Sequence, residues 1–214
     1  MKNVKRAAVA VGAALALPVL ATVPSAAADD VPPPDGVAVE VVTVNGSGCP
    51  DGTATVTPSR DNTAFTVAYQ QYVAWAGGAA PPTDFRKNCQ LNVRVSGPDG
   101  YTYAVTGIEH RGYAHLEPKA SGLKRTTYYF QGDSRSRAVS HDLQGPYDDS
   151  WRFVDRIDPA DRVYKPCGAD RNLNINTEVR VDAGGSDPAK TSFVAMESSY
   201  ADTVYHLAWK RCSD

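Results

Sequence analysis

Asn88-Cys89-Gln90-Leu91-Asn92-Val93-Arg94-Val95, Gly97-Pro98-Asp99-Gly100 and Tyr101-Thr102-Tyr103-Ala104-Val105 decide the class of this fold. Leu91, Val93 and Val95 alternate with Asn92 and Arg94, the period of a strand with one buried face. The Gly-Pro-Asp-Gly cluster marks a turn. Tyr101, Tyr103 and Val105 then share one side of a second run that reaches His110. The two runs together predict a β-hairpin.

The same pattern spreads in both directions. Val37–Val44 and Thr53–Thr57 read as strands. Thr63–Trp75 reads as one long strand with Phe65, Val67 and Tyr69 on a common face. Lys124–Phe130, Ser150–Arg156, Leu173–Val181, Thr191–Met196 and Thr203–Trp209 bring the total to about ten strands. Asp158 to Val163 is the one stretch suited to a helical turn, with Pro159 at a first helical position. Many short strands between turn signals predict an all-β, single-domain β-sandwich or jelly-roll-like double sheet.

The ends of the chain speak to compartment. Lys2, Lys5 and Arg6 precede an apolar run from Ala7 to Val23, and Ser25-Ala26-Ala27-Ala28 supplies small residues for cleavage. Residues 1–28 therefore read as a secretory signal peptide. The apolar run falls short of the ~20 residues that span a bilayer. Residues 29–36, with Pro32-Pro33-Pro34, form a stiff extended lead-in. Residues 37–214 form the predicted domain. The expected location is extracellular, with no membrane anchor. Without its leader the chain keeps 19 Lys and Arg against 24 Asp and Glu, a net charge of about −5. That balance gives no broad attraction to nucleic acid.

Cys49, Cys89, Cys167 and Cys212 all lie beyond the leader. An even count in an exported chain predicts two disulfides. Three pairings exist. Sequential pairing, Cys49–Cys89 and Cys167–Cys212, keeps each loop local and is the expected one. Each loop is worth about 4 kcal/mol by chain entropy. No close Cys pair suggests zinc.

Several local patterns occur in a defined order: Gly46-Ser47-Gly48-Cys49-Pro50-Asp51-Gly52-Thr53, Arg86-Lys87-Asn88-Cys89-Gln90-Leu91-Asn92, Pro98-Asp99-Gly100-Tyr101 and Arg111-Gly112-Tyr113-Ala114. Tyr128-Tyr129-Phe130-Gln131-Gly132, Pro166-Cys167-Gly168, Leu173-Asn174-Ile175-Asn176 and Trp209 before Cys212 complete the series. Their order and spacing resemble the secreted bacterial and fungal proteins grouped as domain of unknown function 4360. The resemblance spans nearly the whole exported chain. It implies secretion, a single domain and structural cysteines, and it brings no known activity or catalytic residues.

Chemistry-bearing residues are sparse. No G-x-S-x-G is present, and Ser140-His141-Asp142 is adjacent only in sequence. His115 and Glu117 share a strand face, as an acid–base pair would require, and Glu109-His110 lies nearby. Glu109, Glu117, Glu178 and Glu197 are the candidate carboxylates for glycoside hydrolysis. Asp142, Asp148, Asp149, Asp155, Asp158 and Asp161 form an acid-rich stretch, with Asp148, Asp149 and Asp155 the candidate calcium ligands. No other cofactor is implied. The aromatic set carries more weight. Eleven Tyr and three Trp outnumber five Phe, so most rings have a polar edge suited to a polar partner. Tyr69, Tyr72, Trp75, Tyr101, Tyr103, Tyr128 and Trp151 are the candidate ligand-binding residues. The preferred expectation is a non-catalytic extracellular module binding a polysaccharide or cell surface. An extracellular hydrolase using a carboxylate pair or a His with an acid is the alternative.

Overall fold

The computed structural model describes residues 30–196 and 202–213. The leader read over residues 1–28 lies outside the described residues. Twelve strands run in order: β1 (Ala38–Asn45), β2 (Ala54–Pro58), β3 (Ala64–Tyr69), β4 (Val73–Gly77), β5 (Arg86–Ser96), β6 (Tyr101–Leu116), β7 (Ser121–Phe130), β8 (Arg137–Gln144), β9 (Tyr147–Arg156), β10 (Leu173–Asp182), β11 (Thr191–Ala195) and β12 (Asp202–Arg211). Among the described residues, one 3-10 turn, Pro159–Asp161, sits where the helical turn is predicted.

The strands form two antiparallel sheets packed as a sandwich. One has the order β1-β5-β10-β7-β8. The other is built around the long β6. β12 pairs with Tyr101–His110, β11 with Tyr113–His115 and β9 with Gly107–Leu116. β9 overlaps both of the others, so β11 and β12 must lie end to end along the opposite edge of β6. β4 pairs with β11 and β3 with β12, and β2 closes that side.

β5 and β6 do not pair. Gly97-Pro98-Asp99-Gly100 is a corner that carries the chain from one sheet to the other, which corrects the predicted hairpin. Alternation marks one buried face and does not say which sheet a strand joins. Val93 and Val95 from one run and Tyr103 and Val105 from the other are all buried in the one core, between the sheets.

The predicted strand Thr63–Trp75 is also broken. Phe65, Val67 and Tyr69 point inward in β3, but the chain slips phase across Gln70–Tyr72, and in β4 Ala74 is buried while Trp75 is exposed. Cys49–Cys89 and Cys167–Cys212 are the two disulfides. The first is fully buried under the β1–β5 edge.

Candidate functional site

Most of the sequence-predicted aromatic platform belongs to the core. Tyr69, Tyr72, Tyr103, Tyr128 and Trp151 are all buried. Trp151 points inward from β9 onto Gly112, where an added Cβ would sit 2.2 Å from the indole and 2.3 Å from the Ala195 carbonyl oxygen. Tyr72 packs in the same way on Gly48. Its hydroxyl lies 3.0 Å from Thr177 Oγ1. Burial of this kind pushes the Tyr128 phenol up to about 12. Tyr101 is half-buried beneath the Arg211 guanidinium. The five buried rings fill the space between two sheets, and they cannot meet a partner there.

Trp75 has a different fate because of the phase slip. Cross-strand register places Trp75 of β4, Phe193 of β11, His115 of β6 and Asp148 of β9 in one row on the outer sheet face. Tyr113 stands one outward position away, paired with Ala195. Ring centroids are 4.8 Å apart for Trp75–Phe193, 6.1 Å for Phe193–Tyr113 and 5.9 Å for Phe193–His115. Trp75 and Tyr113 are each 37% exposed.

A polar rim borders the rings. The Tyr113 hydroxyl donates to Asp148 Oδ1 at 2.7 Å, and His115 Nδ1 lies 3.1 Å from the same oxygen. These contacts, Tyr113 first, hold the Asp148 carboxyl below its ordinary range. His115 Nε2 is 3.4 Å from Glu117 Oε1, and Lys190 Nζ is 3.2 Å from Glu117 Oε2. A shallow depression of about 260 Å³ lies along His115, Glu117, Tyr147 and Asp148. At the other end, Glu109 is gripped by Arg152 through both oxygens and by Arg111. That grip, led by Arg152, pulls the Glu109 carboxyl down to about 2.

The other candidate groups are dispersed. Asp148 faces out from β9 and Asp149 stands on the opposite side, while Asp155 is held by His141 at 2.9 Å. The three candidate calcium ligands are therefore not brought together. Among the described residues, no three His, Cys, Asp or Glu side chains are arranged to hold a metal ion. Glu178 lies on the far sheet, paired with Arg86, and Glu197 is outside the described residues. His110 is fully buried between the sheets, with Nδ1 3.3 Å from Thr203 Oγ1. Of the proposed acid and imidazole groups among the described residues, His115, Glu117 and Asp148 converge at the surface beside the aromatic row. Phe193, which ties the row together, is absent from the sequence reading. Its only signal is its odd position among the alternating residues Thr191–Met196.

Residues 35–212 match the family model described as "Domain of unknown function (DUF4360)". The chain belongs to this family. A relative from Arthroderma benhamiae, described as an "Uncharacterized secreted protein", is 35% identical over 189 residues, covering 86% of this chain and 76% of its own. Among solved structures, one from deformed wing virus, a honeybee pathogen, overlaps with a TM-score of 0.23 and 13% identity, over 99% of this chain and 60% of the viral one. A TM-score that low does not establish a shared fold. Among the described residues of this DUF4360 chain, no helix is long and apolar enough to cross a membrane.

Proposed function

We propose that this DUF4360 protein is a secreted, non-catalytic module that binds a polysaccharide through the Trp75–Phe193–Tyr113 row. The observation that carries the reading is the placement of these rings on an outer sheet face, where three strands contribute side by side. The apolar faces of sugar rings stack on aromatic rings. The bordering Asp148 and Glu117 carboxylates, and the hydroxyl of Ser150, which β9 pairs with Tyr113, accept or exchange hydrogen bonds with sugar hydroxyls. Export is supported by the leader-like residues 1–28, the two disulfides and the secreted relative.

The test is retention of the purified protein on insoluble chitin, cellulose and β-1,3-glucan. Trp75→Ala combined with Tyr113→Ala weakens retention about tenfold or more, the scale of one lost binding anchor. Trp75 and Tyr113 also pack on Phe193, so the thermal midpoint of the variant is measured first and retention is compared below it. Equal retention of wild type and variant on every polymer overturns the proposal. One arrangement favours hydrolysis as a second reading: His115 held between Asp148 and Glu117. Release of soluble sugar by the wild type, lost in His115→Asn, would establish it in place of simple binding.

A further inference from the structure

The outer face of the five-stranded sheet is built from residues that strands disfavour. Outward positions of β5 include Asn88, Gln90 and Asn92, between Arg86 and Arg94, and those of β10 include Asn174 and Asn176. Asn is depleted in strands because its side chain competes for backbone hydrogen bonds. Five amides at successive outward positions therefore run against local preference.

Register gathers them into a grid. Asn92 lies opposite Asn174, and Gln90 opposite Asn176. β1 adds Thr43 beside Asn92 and Asn45 beside Gln90. β7 adds Tyr129 beside Asn174 and Thr127 beside Asn176. The result is two parallel rows of four uncharged polar side chains, spanning roughly 14 Å at ordinary strand spacing. The amides are oriented by their neighbours. Asn172 Nδ2 donates to Asn92 Oδ1 at 2.6 Å, and Asn92 Nδ2 donates to Asn174 Oδ1 at 2.8 Å. Charge resumes in the flanking rows, with Glu40 beside Arg94 at one end and Glu178, bound to Arg86 and facing Arg125, at the other.

We propose that this grid is a second ligand face, which takes a neutral, hydroxyl-rich polysaccharide strand. Each amide offers donors and an acceptor and so matches an alcohol, which is both. The two rows themselves hold no cation for an anionic polymer, and the bordering Arg94, Arg86 and Arg125 each stand beside a carboxylate, Glu40 or Glu178. It also lacks the cluster of large apolar anchors that a protein partner uses, since Tyr129 is its one ring. The aromatic row lies on the opposite side of the sandwich, so one molecule engages two polymer strands. The grid stands on its own residues and does not depend on the aromatic reading.

The test uses the same three polymers with Gln90→Glu combined with Asn176→Asp. These near-isosteric changes place two negative charges in the grid. Retention falls tenfold or more, and the wild type, but neither this variant nor the Trp75/Tyr113 variant, cross-links soluble glucan into a sediment. The thermal midpoint is checked first, and Gln90→Ala with Thr127→Ala replaces the pair should it unfold. Retention and cross-linking equal to wild type overturn the grid and leave the aromatic row standing. Loss on the grid variant with none on the Trp75/Tyr113 variant upholds the grid and removes the aromatic row. A wild type held by none of the three polymers overturns both.

Discussion

Lys124 points inward from β7 and is fully buried, with Nζ 3.0 Å from Thr126 Oγ1 and 3.2 Å from the Arg125 carbonyl oxygen. Loss of solvation pulls its ammonium down to about 7, against a smaller opposing attraction from Asp155. Burial likewise pulls the His110 imidazole down to about 2. Both shifts have the same sign for stability. The unfolded chain holds more protons than the folded one, from about 2 to 6.5 for His110 and from about 7 to 10.5 for Lys124. Stability therefore rises with pH across each window. Replacing Lys124 by Met removes the upper window and stabilises the protein by about 1–3 kcal/mol below neutral pH, since an apolar side chain of similar length bears no desolvation cost. Urea midpoints taken on each side of neutrality check this. A variant that keeps the wild-type slope above pH 7 shows that Lys124 is not its source. Nothing in the run Ser121–Phe130 distinguishes Lys124 from the exposed Arg125 except its phase in the strand.

At the scale of elements, strand content was legible and strand partnership was not. The ten predicted runs cover eleven of the twelve described strands, with Thr63–Trp75 spanning both β3 and β4, because a half-buried strand writes its buried face into alternate residues. β8 escaped because Ala138, Ser140 and Asp142 are weak strand formers, although Val139, His141 and Leu143 point inward. An unbroken strand over Thr63–Trp75 would hold Trp75 in phase with Tyr69, and both rings are read as candidate binding residues. The slip at Gln70–Tyr72 reverses that phase, and with it the identity of the binding rings. Sequence could not separate core tyrosines from surface ones, since both alternate with polar neighbours. The cysteine-bearing elements carry their own expectation. Cys49 and Cys89 are fully buried, whereas Cys167 is exposed and Cys212 half-buried. Graded reductant opens Cys167–Cys212 first, as alkylation and mass measurement will show. Reduction of Cys49–Cys89 ahead of it contradicts this order. Loss of the outer bridge, by Cys167→Ser with Cys212→Ser, lowers stability by about 2–5 kcal/mol.

The whole molecule is a sandwich whose two outer faces differ in chemistry. One carries an aromatic row with carboxylates and the other a grid of neutral amides between charged rows, while the inner faces share one core. The chain changes sheets at seven of its eleven connections between strands. That weaving has a kinetic consequence. β5 sits between β1 and β10, and the latter enters the chain far behind it, with Thr177 Oγ1 reaching the Cys89 carbonyl oxygen across 88 residues of sequence. Distant pairings must close large loops before any contact rewards them, so refolding with both bridges intact falls in the milliseconds-to-seconds range of such topologies. Stopped-flow fluorescence of Trp151 and Trp209, both buried in the final state, reports the rate, and a microsecond phase carrying the full amplitude contradicts it. During synthesis, which delivers the N-terminal half first, β5 waits on the ribosome's schedule with one side unpaired. The backbone N–H and C=O groups along that edge stay unpaired until β10 emerges, and that interval is when a chaperone has most to shield.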